Sequence, residues 1–126
     1  MEDKQYVIQE HTTPQGVHWD LMLEKDGVLG TFRLEEPPTA ASQRTVQARK
    51  IFDHPLRFLT YEGPVQQGAG RVRIVDRGHY RDSGQSEMRW DLHLTGAVLA
   101  GDFSLTHIEQ DAWAFAPRSH PARRGE

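Results

Sequence analysis

The chain has 126 residues, 15 basic and 18 acidic side chains, a formal charge of −3 and 37% hydrophobic residues. This suits one modest core in a single domain spanning residues 1–126, and the lack of cysteine excludes disulfides, thiolate metal sites and cysteine nucleophiles. No apolar run approaches the roughly 18–20 residues that span a bilayer, and the opening MEDKQYVIQEH lacks a signal peptide's apolar stretch, so a cytoplasmic protein without membrane contact is expected.

Glycine and proline divide the chain into segments of strand length. Tyr6–His11 and Val17–Glu24 alternate in polarity across a Thr12–Gly16 loop, and Asp26-Gly27 forms a two-residue turn into Val28–Leu34. The first third therefore reads as a three-stranded meander. Pro37–Ser42 has loop composition. Gln43–Phe52 fits a helical face or an irregular strand equally well. Further strands are expected at Arg71–Asp76, His79–Arg81, Met88–Leu94, Val98–Leu105 and Ala112–Ala116, followed by a frayed tail over residues 117–126. Many short strands in a small chain favour an all-β fold, a closed or nearly closed β-barrel with at most one or two short helices, because closure removes exposed edges. A two-sheet sandwich is the alternative.

The first 36 residues are acidic and the remainder weakly basic. That balance argues against non-specific coating of nucleic acid but permits a grip on a few phosphates. Chemistry concentrates in QEHTTPQGVHWDLMLE, residues 9–24. Strand alternation turns His18, Asp20 and Met22 to one side and Val17, Trp19, Leu21 and Leu23 to an apolar side destined for burial. Gln9 and His11 share a face of the preceding strand, and a hairpin brings His11 toward His18 and Asp20. Two imidazoles and a carboxylate suit a divalent metal, with Mn²⁺, Zn²⁺, Fe²⁺ and Co²⁺ all open; the other reading is a solvent-facing polar strand face. His54, held extended by Pro55, is a candidate for phosphoryl contact or proton transfer, or else a hydrogen-bonded structural residue. His79, His93, His107 and His120 have no evident partner spacing. Gly68 and Gly70 shape a backbone corner before a strand, and neither a P-loop nor a dinucleotide fingerprint is present. Arg71 and Arg73 share a strand face that can meet a nucleic-acid backbone or solvent.

Taken together, Tyr6–His11, His18-Trp19-Asp20-Leu21, Asp26–Leu29, Asp53-His54-Pro55-Leu56, Glu62-Gly63, Gly68–Gly70 and Asp76-Arg77-Gly78 resemble the 3′-phosphoesterase domain found in bacterial DNA ligase D and as free-standing small proteins. Leu94, Leu99, Gly101, Phe103, Leu105 and Trp113 fit that family's closing strands. The resemblance implies a small β-barrel enzyme with one divalent ion, foremost Mn²⁺, that removes a terminal ribonucleoside and then a 3′-phosphate. It implies His11, His18 and Asp20 as metal ligands, His54 as a phosphate-contacting catalytic histidine and Gln9 as a further catalytic, site-supporting residue. Implied partners are DNA or DNA/RNA 3′ ends and a separate ligase or end-joining machinery, with the protein itself a monomer.

Three departures stand out. The family's arginine two positions after the aspartate is Met22 here, its tyrosine four positions after the second-segment histidine is Phe58, and only Met1–Gln5 precede the first strand. Methionine replaces neither the charge nor the bidentate donors of arginine. Arg57, Arg71 or Arg73 is therefore expected to supply phosphate contact in its place. The resulting readings are an end-processing phosphoesterase of reduced rate, a non-catalytic relative binding a metal or nucleic-acid ends, and a metal phosphoesterase acting on a small phosphorylated substrate.

Overall fold

A computed structural model describes residues 3–118. Nine strands follow in chain order: β1 (Lys4–Thr13), β2 (Gly16–Lys25), β3 (Val28–Leu34), β4 (Val46–His54), β5 (Gly63–Val65), β6 (Gly70–Gln85), β7 (Arg89–Gly96), β8 (Ala100–Glu109) and β9 (Ala112–Pro117). One four-residue α-helix, α1 (Pro38–Ala41), bridges β3 and β4, and two 3-10 turns occupy Leu56–Leu59 and Gln66–Gly68. Every pairing is antiparallel, and the spatial order is β1-β2-β3-β4-β9-β8-β7-β6-β5. Because β1 also pairs with β6, eight strands close into a barrel and β5 adds to its side. Closure satisfies the backbone groups that an open sheet would leave on its edge strands.

The interior takes alternate residues from every barrel strand. Tyr6 and Ile8, Leu21 and Leu23, Phe32 and Leu34, Val46 and Ala48, Tyr80, Trp90, Leu92 and Leu94, Phe103 and Leu105, and Phe115 form one buried cluster. A smaller cluster of Val7, Met22 and Leu29 lies on the opposite, outward side of β1–β3, where Phe58, Leu59 and Ile74 cover it. The chain between β4 and β5 therefore roofs part of the barrel wall. The polar residues of the same outward rows are buried with it.

Local sequence accounts for most of these elements. Asp26 and Gly27 both have positive φ, 55° and 83°, the conformation that a two-residue hairpin turn demands, and they set the β2–β3 register. Val46 and Ala48 are buried while Gln47 and Arg49 are exposed, so the segment open to a helical reading follows the strand period. The expected Arg71–Asp76 and His79–Arg81 strands are one continuous strand, β6. Val17 departs from the apolar face assigned to it, being 47% exposed: it lies beside the β1–β2 turn at the barrel rim, whereas Leu21 and Leu23 reach the interior. The tail starts later than expected, since Pro117 pairs with Phe103 and the Arg118 amide donates to Asp102. His120 and residues 119–126 lie outside the described residues, as do Met1 and Glu2. Among the described residues, no helix is long and apolar enough to cross a membrane.

Candidate metal centre and phosphate cavity

The β1–β2 hairpin places His11 opposite His18 and Gln9 opposite Asp20. All four side chains turn outward, along the rows that hold Val7 and Met22. The His11 and His18 rings meet edge to face with centroids 4.6 Å apart. Asp20 Oδ2 lies 3.5 Å from His18 Nε2 and 3.8 Å from His11 Nδ1. Gly70 makes room for the first imidazole, as a Cβ there would stand 2.8 Å from His11 Nε2.

These polar atoms are buried without being satisfied. His11 Nε2, His18 Nε2 and Asp20 Oδ1 have no hydrogen-bond partner among the described residues, although stranding such groups is costly. The three side chains offer one ligand atom each, all within 4.8 Å of one another. Donors bound to one ion at about 2.0–2.2 Å stand roughly 3–3.5 Å apart, so this set fits a divalent cation after a small contraction. Burial and the neighbouring His18 hold His11 below the usual histidine pKa, favouring the neutral imidazole that ligates metals.

His54 reaches the same cavity from β4. The β3–β4 pairing slips there, with Leu29 opposite His54 and Thr31 opposite Ile51. Phe52 and Asp53 thus stand across from Gly30 alone, and this bulge aims His54 at the cavity. His54 Nδ1 lies 2.9 Å from Thr31 Oγ1 and 3.1 Å from the Phe52 carbonyl. The Thr31 hydroxyl already donates to Leu29 O and a carbonyl only accepts, so Nδ1 carries the hydrogen in the neutral ring. Nε2 is thereby left with a lone pair for the cavity. Burial holds His54 below its ordinary pKa, against an opposing pull from Asp20.

Gln9 works as a brace. Its amide group donates to the carbonyls of Phe58 (3.0 Å) and Tyr61 (2.9 Å), tying β1 to the roofing segment, while its buried Oε1 has no donor among the described residues. Met22 on the barrel wall is covered by Phe58 of that roofing segment. The Phe58 ring stands edge-on to His54 at 5.6 Å, and the Arg57 guanidinium lies over it at 4.5 Å. Together Gln9, His11, Asp20, Arg33, His54 and Arg57 line a cavity of about 320 Å³.

The structure separates the expected arginines. Arg57 lines this cavity, but Arg71 and Arg73 do not: Val72 faces it, and strand alternation turns its two neighbours away. They line a separate groove with Glu10 and Glu62, where Arg73 pairs with Glu10 at 2.8 Å. Arg33 was missed. It lies opposite Asp20 on β3, with Nε 3.7 Å from Asp20 Oδ1, and that nitrogen is buried without a hydrogen-bond partner among the described residues. Counting back from the Asp26-Gly27 turn would have found it. Of the other histidines, His93 pairs with Asp102 and His107 contacts the Gln110 carbonyl.

Residues 9–107 match the model of the DNA ligase D 3′-phosphoesterase domain. The chain belongs to that family. It is 34% identical over 119 residues to the multifunctional non-homologous end joining protein LigD of Mycobacterium bovis, and 38% identical over 126 residues to that of Mycolicibacterium smegmatis. Each alignment covers 86% of this chain but only 15% and 16% of those relatives. A shorter alignment, 34% identical over 76 residues, covers 58% of this chain and 9% of LigD from Pseudomonas aeruginosa. The family's match takes in every residue of the cavity's polar wall.

Proposed function

We propose that the protein is a metal-dependent phosphoesterase acting on nucleic-acid 3′ ends during end-joining repair, removing a 3′-phosphate or a terminal ribonucleoside. The observation that carries this reading is the His11–His18–Asp20 set, whose His11 Nε2, His18 Nε2 and Asp20 Oδ1 lack hydrogen-bond partners among the described residues. Buried His11 and Asp20 open on a cavity walled by His54 and two guanidinium groups, with part-buried His18 beside them. Family membership supplies the substrate class. The protein would work in the cytoplasm as a monomer, alongside a separate ligase.

His11, His18 and Asp20 would hold the cation, with Mn²⁺ the first choice and Zn²⁺, Co²⁺ or Fe²⁺ compatible with the same donors. When bound, the ion supplies Lewis-acid polarisation of a phosphoryl oxygen. The chain's own residues do the rest. His54 Nε2 accepts or returns a proton at the phosphoryl group, its ring held by Thr31 and the Phe52 carbonyl. Arg33 and Arg57 neutralise phosphate charge, which matters because phosphoryl transfer depends chiefly on positioning and electrostatics. Gln9 acts as a positioning residue by fixing the roof beside His54.

The test is an end-labelled DNA strand bearing a 3′-phosphate or a 3′-terminal ribonucleotide, incubated with the protein and Mn²⁺. Product should form with the wild type and vanish with His18→Ala. Arg33→Gln should slow the reaction at least 10-fold, on the order of one lost charge-assisted contact, while Arg73→Gln should leave the rate within about 2-fold. Absence of product from folded, metal-loaded wild type would overturn the reading.

A further inference from the structure

We infer that the outer face of Phe52 is a stacking platform for the nucleobase of the nucleotide whose phosphate enters the cavity, so that the site reads the end of a strand as well as its phosphate. The inference rests on the function proposed above and deepens it. Phe52 is 72% exposed, the most exposed large hydrophobic side chain among the described residues. Val17, Val28, Leu56, Met88, Val98 and Ile108, the others in that group, are all aliphatic. Phe52 also lies at the cavity's edge, in the bulge that orients His54.

Its inner face is already occupied. The Phe52 and His54 rings lie 4.8 Å apart and are inclined by only 33°, closer to a stack than the edge-on packing of Phe58 against His54 at 85°. The array thus runs from Tyr61 through Phe58 and His54 and ends on a ring open to solvent. A planar base placed on Phe52 would extend it. An aromatic face next to guanidinium groups is the usual combination for an unpaired nucleotide, with stacking for the base and cationic groups for the backbone. An apolar protein segment would cover Phe52 but leave Arg33 and Arg57 without an anion. Stacking is tolerant of base identity, so the platform favours an unpaired terminal nucleotide without preference for sequence.

The experiment uses the Mn²⁺-loaded protein and two 3′-phosphorylated strands, one with an ordinary terminal nucleotide and one with an abasic analogue there. The wild type should show a KM roughly 10-fold lower for the strand carrying the base, the scale of one stacked base. Phe52→Ala should lose that preference, showing the same KM for the two strands, and Phe52→Trp should restore it. A fluorescent 2-aminopurine at the terminus should be quenched on binding to wild type and not on binding to Phe52→Ala. Equal KM values for both strands in the wild type, or an unchanged preference and quench in Phe52→Ala, would overturn the platform while leaving the proposed activity intact. A wild type that neither binds nor processes either strand would overturn both, and is recognised because the variants then have nothing to lose.

Discussion

Asp20 and Asp76 are almost equally withdrawn from solvent, at 3% and 2% exposure, yet their surroundings differ at every oxygen. Asp76 accepts from the Val98 amide at 2.8 Å, the Leu99 amide at 3.1 Å and the Tyr6 hydroxyl at 2.8 Å. Burial and this carboxylate push the Tyr6 phenol far above its usual pKa, so the hydroxyl remains a donor. Asp76 thereby fastens the connection between β7 and β8 to the barrel wall. Asp20 has no such donors. Its nearest polar neighbours are two imidazoles and a guanidinium at 3.5–3.8 Å, too far for good hydrogen bonds. Both carboxylates lie in segments that carry the family resemblance, but one is satisfied by hydrogen bonds within the fold and the other is not. Hydrogen-bond completeness, rather than burial, separates the structural acid from the one proposed to hold a metal.

That contrast can be broken most decisively at Asp20. Asp20→Asn keeps the side chain's size and removes its charge, and turnover should fall by about 10³-fold or more with loss of the Lewis-acid contribution. The metal-free variant should nevertheless unfold within about 1 kcal/mol of wild type, because no hydrogen bond is lost. Calorimetric Mn²⁺ titration and denaturation in chelator measure the two halves separately. A variant that still binds one Mn²⁺ tightly would remove Asp20 from the ligand set.

Asp76→Ala should show the reverse pattern. Three donors lose their acceptor, and stability should drop by about 3 kcal/mol or more, read as a lower urea midpoint. The fraction still folded should bind Mn²⁺ as the wild type does. Wild-type stability in this variant would show that the lock at β7–β8 contributes little.

The smallest effect expected is on pH dependence. His54 is held below the ordinary histidine value near 6.5, so as pH falls through that value the unfolded chain takes up a proton before the native protein does. Stability should therefore decline on acidification below about pH 6.5. His54→Gln should make that decline shallower without abolishing it, since His11 is shifted the same way. Urea midpoints at several pH values between about 5 and 7.5 measure the slope, and identical slopes in the two proteins would contradict the assignment of His54 as a neutral, half-buried ring.

How much of the site is legible in the sequence depends on the distance over which register must be carried. The His11–His18 pairing follows from one short hairpin, Thr13 opposite Gly16, and the period of two does the rest. Arg33 is equally legible, because Asp26-Gly27 fixes its position opposite Asp20, across the β2–β3 hairpin rather than along β2. Alternation puts Arg71 and Arg73 on one face, yet which face points to the cavity depends on pairing with β1 across a bulge between Ile8 and Gln9. One inserted residue reverses that assignment.

The sequence by itself determined the all-β character, the first hairpins and the residues able to ligate a metal, because turn chemistry and strand alternation act over a few residues. Tertiary structure alone decided that β1 meets β6 to close the barrel, that the segment after β4 roofs Met22 and Val7, and that His54 arrives beside Asp20 through a bulge. It also decided which buried carboxylate would go without donors. Those outcomes depend on pairings and packing between residues remote in the chain, and no local preference encodes the register at which distant strands meet.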